Sequence, residues 1–346
     1  MINILHLGIT VHFLTRLLLL SFLSFSVAMI LTPIYTFFAY KYKWWRKQRK
    51  TSILESKSLV HQKLYEARIT KLIPTMAGII FVISVAIITL LYDLNRGQTW
   101  LPLAGLIGAG LIGLIDDYIN ISSNSLSAVG MKARYRFVSY SLVSILGGWW
   151  FYEKLGVNSI FIPYIGNLKL GILIVPLFWL VVIATSNAVN ITDGLDGLAG
   201  GLLTSSFSVY GLISAFEHRY QLAIFCFIIV GALLSYTWFN IFPARFFMGN
   251  IGSFSLGTAL GIIAMQTNTV YLLPIIGFVY VAETGSVIIN RTSQKLRQGK
   301  KVFLTSPIHY HFEVLGWPET KVTMRFWVIG QVSAVIGLII FLIYRV

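Results

Sequence analysis

The chain has 346 residues, of which 56% are apolar and 11% charged, with a formal net charge of +15. A soluble domain carries about 25% charged residues, so this deficit, with a mean hydropathy of +0.77, excludes both a soluble globular protein and a disordered chain. The apolar content fills about nine or ten helices at roughly 20 residues per membrane crossing, and the continuous apolar runs favour helices over a barrel.

The first predicted span covers 14–40. Arg16 precedes a leucine-rich run that could pass for a secretion signal, but the run continues through Pro33 to Tyr40 with no small-residue cleavage site, so it reads as a retained helix. Further spans are predicted at 73–92, 100–116, 135–152, 168–187, 197–216, 220–241, 252–268, 271–290 and 323–344. The expectation is an all-α polytopic protein of about ten transmembrane helices, one integral membrane domain over 1–346. Ten spans put both termini on one side of the membrane. The odd-numbered loops hold 21 Lys and Arg against six on the other side, which assigns those loops to the cytoplasm and the termini to the outside. The same basic loops attract anionic lipid head groups or anionic substrates. The single cysteine, Cys226, lies in an apolar run and builds neither a disulfide nor a thiolate metal site.

Only twelve residues are acidic, and charge close to a membrane is costly unless it is used. Asp116 and Asp117 end the third span. Asn187, Asn190, Asp193 and Asp196 recur every three residues after the fifth, and Glu313 and Glu319 lie in the ninth loop. The topology sends these groups to one face. Clustered oxygen ligands among basic residues suit a hard cation such as Mg²⁺ holding phosphates. Gly194 and Gly197 favour a loop over a continuous polar helix stripe. In FMGNIGSFSLG (247–257), Gly249 and Gly252 allow close backbone approach, and free N–H groups of the helix start, with Ser253, offer a phosphate site. A plain helix-entry turn accounts for this segment equally well. His309, His311 and Glu313 share one side if their segment is extended. That suits hydrogen bonding to a phosphate or sugar, or a structural loop, better than a zinc site. Glu283 is predicted near mid-membrane, away from this cluster, with a partner inside the bundle.

LIDDY (114–118), SNAVNITDGLDGLAGG (186–201), FNIFPARFFMGNIGS (239–253) and SPIHYHFEVLGWPETKVTMRFW (306–327) resemble the phospho-N-acetylmuramoyl-pentapeptide transferases, a family of polyprenyl-phosphate sugar-1-phosphate transferases. IPTMAG (73–78) and GMKARYRF (130–137) are weaker matches. The resemblance implies ten helices, outside termini, cytoplasmic active-site loops and a multi-pass place in the bacterial inner (cytoplasmic) membrane. It implies transfer of phospho-MurNAc-pentapeptide from UDP-MurNAc-pentapeptide to undecaprenyl phosphate, giving lipid I and UMP for peptidoglycan, with Mg²⁺ required. Membrane lipids and a second copy of the chain are the implied partners, and nucleic acid is not one. Carried over by position, Asp116, Asp117, Asp193, His309 and His311 are catalytic. Lys71, Thr75, Arg136, Asn187, Asn190, Asp196, Gly249 and Ser253 bind substrate, and Asp193 and Asn250 hold the metal.

Three departures stand out. The family's MGD motif reads Met248-Gly249-Asn250, so the site loses a charge although the asparagine carbonyl can still ligate, and metal affinity should fall. The central histidine of a three-histidine motif is Tyr310. A lysine expected after DDY is Asn120, and a later one is Arg136. Two other readings stay open at this point: a transferase for another UDP-sugar, and a catalytically silent scaffold.

Overall fold

In a computed structural model, residues 10–45, 73–122 and 130–345 are described. Lys71 lies outside them. The helices are α1 (Val11–Lys41), α2 (Gly78–Ile88, continued by a short π-helical turn), α3 (Trp100–Ser122), α4 (Ala133–Glu153), α5 (Ile174–Thr192), α6 (Leu198–Phe216), α7 (Tyr220–Asn240), α8 (Gly249–Gln266), α9 (Leu273–Ile276), α10 (Phe278–Leu296), α11 (Ile308–Val314) and α12 (Glu319–Arg345). A two-stranded antiparallel hairpin, β1 (Ser159–Ile162) and β2 (Gly166–Lys169), links α4 to α5. The architecture is that of an all-α polytopic membrane protein. Among the described residues, six helices are long and apolar enough to cross a membrane, or seven if α9 and α10 count as one broken span.

Each predicted span falls on a helix or a helix pair. The ninth is the one that breaks, with α9 and α10 meeting at 80° across Gly277. Past the bend, α10 buries a largely polar stripe of Tyr280, Glu283, Ser286, Asn290 and Ser293 at helical spacing, and it exposes Phe278, Val281, Ile288 and Ile289. A helix that is polar inside and apolar outside suits a lipid surround.

All 18 residues of α8 are buried, which makes it the axis of the bundle. It packs most extensively on α3 and α5. Small residues permit this approach: a side chain on Gly113 of α3 would collide with the backbone of Asn250, and one on Gly257 of α8 with that of Ser186 on α5. The close contact at Gly113 sets the distance between the acidic end of α3 and the start of α8.

The segment 308–314 corrects an expectation. It is helical, with Pro307 at the N-cap, not extended. His309 and Glu313, four apart, share the buried face, whereas His311 points elsewhere and accepts a hydrogen bond from the Leu304 N–H at 3.2 Å.

Candidate active site

The C-terminal ends of α3 and α5 meet the N-terminal ends of α2 and α8. These are four ends that the ten-span reading places on one side. Asp116 and Asp117 are 1% and 0% exposed. A chain of side chains runs from α5 through α8 to α3. Asn190 Nδ2 donates to Asn250 Oδ1 at 3.0 Å and to Ser253 Oγ at 2.8 Å, and Asn250 Nδ2 donates to Asp116 Oδ2 at 2.7 Å. Arg136 of α4 donates to the same Asp116 oxygen at 3.2 Å, and the Met131 backbone N–H donates to its other oxygen. The Asp116 carboxylate is thereby ringed by three donors.

Asp117 faces the start of α8. Met248, the N-cap residue, has no side chain that can cap, and Asp117 Oδ2 accepts the Ile251 N–H at 3.2 Å instead. The carboxylate therefore offsets the positive end of the α8 dipole. Of the N–H groups expected to be open to phosphate there, one already has a partner, and so does Ser253. The Ile251 N–H is taken by Asp117, and Ser253 donates to the Gly249 carbonyl at 3.0 Å while accepting from Asn190. Gly249 has φ +71°, and a methyl there would meet Asp117 Oδ2, Thr75 Oγ1 and the Met76 N–H. Thr75, buried, thus lies against Asp117, and Tyr35 fixes its backbone by donating to the Thr75 carbonyl at 2.6 Å.

A second cluster adjoins this one at the α5–α6 turn. Asp193 is the C-cap of α5, three residues beyond Asn190. The predicted loop is present, and Gly197 turns at φ +77°. Asp196 braces it. Its N–H donates to Glu319 at 2.8 Å, its carboxylate accepts the Ala244 N–H at 2.9 Å, and its carbonyl accepts from Thr323 at 3.2 Å. Trp327 Nε1 donates to the Gly197 carbonyl at 3.1 Å. In these contacts Asp196 ties the turn to α12 and to the segment before α8. Asp196→Ala leaves the buried Ala244 N–H unpaired, and thermal unfolding in detergent is expected to show a loss of about 1–3 kcal/mol.

The structure therefore gathers Thr75, Asp116, Asp117, Arg136, Asn190, Gly249, Asn250 and Ser253 into one cluster, and Asp193, Asp196 and His309 into its neighbour. It does not bring in Asn187, whose side chain is exposed and donates to its own helix at Ile183. His311 is engaged with Leu304 instead. Sequence reasoning set Glu283 apart, yet its carboxylate meets His309 Nδ1 at 2.9 Å, both side chains being fully buried. The expected partner inside the bundle exists. The expected distance from the cluster does not, because α11 packs against the polar stripe of α10.

Among the described residues, no group of three or more His, Cys, Asp and Glu side chains is placed to hold a metal ion. The two expected ligands, Asp193 one helical turn past Asn190 and the Asn250 carbonyl that accepts from Asn190, are donors of the kind Mg²⁺ takes, since it is ordinarily held by one or two carboxylates and completed by phosphate and water. With Asn250 Oδ1 already accepting from Asn190, its second lone pair is the one left for such a cation.

A family model for glycosyl transferase family 4 matches residues 99–268. Along 97% of its length the chain is 34% identical to a phospho-N-acetylmuramoyl-pentapeptide-transferase of Chloroflexus aggregans, of which it covers 92%. It is 37% identical to the transferase of that name from Chloroflexus aurantiacus over 78% of the chain and 77% of the relative. It is 38% identical to the one from Dichelobacter nodosus over 77% of the chain and 79% of the relative. The chain belongs to the phospho-N-acetylmuramoyl-pentapeptide transferase family. The stretch that matches the family model contains α3, α5 and α8, and so the whole Asp116–Asn250–Asn190 bridge. His309, Glu283 and Glu319 lie beyond it.

Proposed function

We propose that the chain moves phospho-MurNAc-pentapeptide from UDP-MurNAc-pentapeptide to undecaprenyl phosphate in the bacterial cytoplasmic membrane, producing lipid I and UMP. The observation that carries this reading is the Asn190–Asn250–Asp116 bridge, buried where α3, α5 and α8 meet, in a chain of this family. A phosphate oxygen of the lipid attacks the phosphorus that bears the sugar. The bond from that phosphorus to the bridging oxygen breaks, and UMP leaves with the electron pair. Such transfers depend mainly on positioning and on electrostatic stabilisation of the spread negative charge.

The residues divide this work. Arg136, 37% exposed beside a buried Asp116, offers positive charge to an incoming phosphate. Asp116 and Asp117, held by donors from α4, α8 and the 130–131 turn, are rigid acceptors at the same place. The Ile251 N–H on Asp117 blunts that carboxylate as a nucleophile, which favours direct in-line attack over a covalent route through Asp117. Mg²⁺, which Asp193 and the Asn250 carbonyl would hold, would supply positive charge to the phosphate oxygens. Asn190 and Asp193, one helical turn apart, present an amide and a carboxylate to the nucleotide sugar.

Asn250 lets the site stand without a cation, because its amide donates to Asp116 where an aspartate would repel it. Asn250→Asp is expected to lower the Mg²⁺ concentration for half-maximal UMP release by about tenfold, one added charge–cation interaction of about 1.4 kcal/mol. The same variant should unfold at a lower temperature than the unmodified chain in EDTA and recover with Mg²⁺. An unfolding temperature indifferent to Mg²⁺ in the variant would place the cation elsewhere.

A further inference from the structure

The Glu283–His309 pair is a buried ionisable couple that the mechanism above does not use. Glu283 Oε2 lies 2.9 Å from His309 Nδ1, and both side chains have no solvent exposure. The second oxygen of Glu283 and Nε2 of His309 have no hydrogen-bond partner among the described residues. The ring edge carrying Nε2 and Cε1 faces the α-carbon of Gly194, where any side chain would strike it. Gly194 follows Asp193 in the turn that ends α5. Tyr310 packs edge-on against the His309 ring, 4.1 Å between centroids, and donates to the Gly194 carbonyl at 3.3 Å.

An acceptor oxygen against Nδ1 favours the tautomer with the proton on that nitrogen. It fixes the ring plane as well. Nε2 is then the one ring atom left to meet anything else, and it is aimed at the Asp193 turn. Leaving such a buried atom unpaired is destabilising unless a ligand completes it.

We propose that Glu283 is a positioning residue: it holds His309 with Nδ1 protonated, so that Nε2 faces the Asp193–Gly194 turn as an acceptor for a hydroxyl or N–H of the nucleotide sugar. This rests on the transferase reading. It also explains the helical form of 308–314, which puts His309 on the α10 side and leaves His311 out of the site.

The test uses the full-length chain in detergent and three variants: Glu283→Gln, His309→Ala and the two together. Glutamine fills the same space and lets the imidazole take either tautomer. Glu283→Gln is expected to lower kcat about 10–100-fold, with KM for both substrates and the unfolding temperature unchanged. Added to His309→Ala it should cost nothing further, because Glu283 acts through that ring. Losses that multiply in the double variant would overturn the proposal. ¹⁵N-histidine NMR, with His309 assigned from its alanine variant, reads the pairing without any turnover. Nδ1 is expected to be protonated in the unmodified chain and mixed between tautomers in Glu283→Gln. A His309 signal unaffected by that substitution would overturn the proposal even if the protein were inactive. Inactivity of the unmodified chain with the tautomer shift intact would instead count against the transferase reading alone.

Discussion

Asp116→Asn is expected to reduce UMP release by about 10²–10³-fold with the helical fold retained, the loss typical of one misdirected group in a charge-stabilising site. The reason is the number of donors around this carboxylate. Asn250 and Arg136 both donate to one oxygen, and the Met131 N–H to the other. An asparagine offers one oxygen where two are used, so its amide must point at a donor in either orientation. One buried donor then goes unpaired, and Arg136 loses the charge that holds it. Steady-state kinetics would read this as a fall in kcat larger than any rise in KM, while circular dichroism stays that of the unmodified protein. Activity within about tenfold of the unmodified chain would mean that the bridge is structural only.

Gly249→Ala carries the second large effect, and through geometry rather than charge. At φ +71° an L-residue is strained, by about 1–2 kcal/mol. The added methyl also meets Asp117, Thr75 and the Met76 backbone together, and overpacking of this kind costs about 1–3 kcal/mol more. To relieve it, the start of α8 must move away from α3, which lengthens the Ile251-to-Asp117 and Asn250-to-Asp116 hydrogen bonds at once. The expected result is a loss of activity about as large as that of Asp116→Asn, with a lowered unfolding temperature. The alanine is therefore distinguishable from the asparagine substitution, which disturbs charge and leaves packing in place. An alanine variant of full activity and stability would contradict the tight contact among Gly249, Asp117 and Thr75.

The helices were legible because lipid demands long apolar runs, and each run in the chain became a helix. The acidic face was legible because few acids are present and they sit at span ends. What stayed hidden depended on direction rather than composition. The run at 271–290 gives no sign that Gly277 bends it by 80°, and without the bend Glu283 reads as a mid-membrane residue far from the loops. His309 and His311 looked equivalent at a spacing of two, and only the helix beginning at Pro307 separates them. The glycine-rich start of α8 looked open to phosphate because the residue that occupies its N–H, Asp117, lies 134 positions away from Ile251. Asp196 carried a family role by position, and its local contacts are those of a brace between the α5–α6 turn and α12. The β1–β2 hairpin is not legible because its strands are four residues each, SIFI and GNLK, with no clear apolar–polar alternation.

The most direct measurement is UMP release by the purified chain in detergent with UDP-MurNAc-pentapeptide and undecaprenyl phosphate, with and without Mg²⁺, beside Asn250→Asp. UMP formation by the unmodified chain that needs both substrates and rises with Mg²⁺ is the predicted result. No UMP from the unmodified chain, under conditions in which Asn250→Asp turns over, would contradict it and identify a silenced site on an intact scaffold.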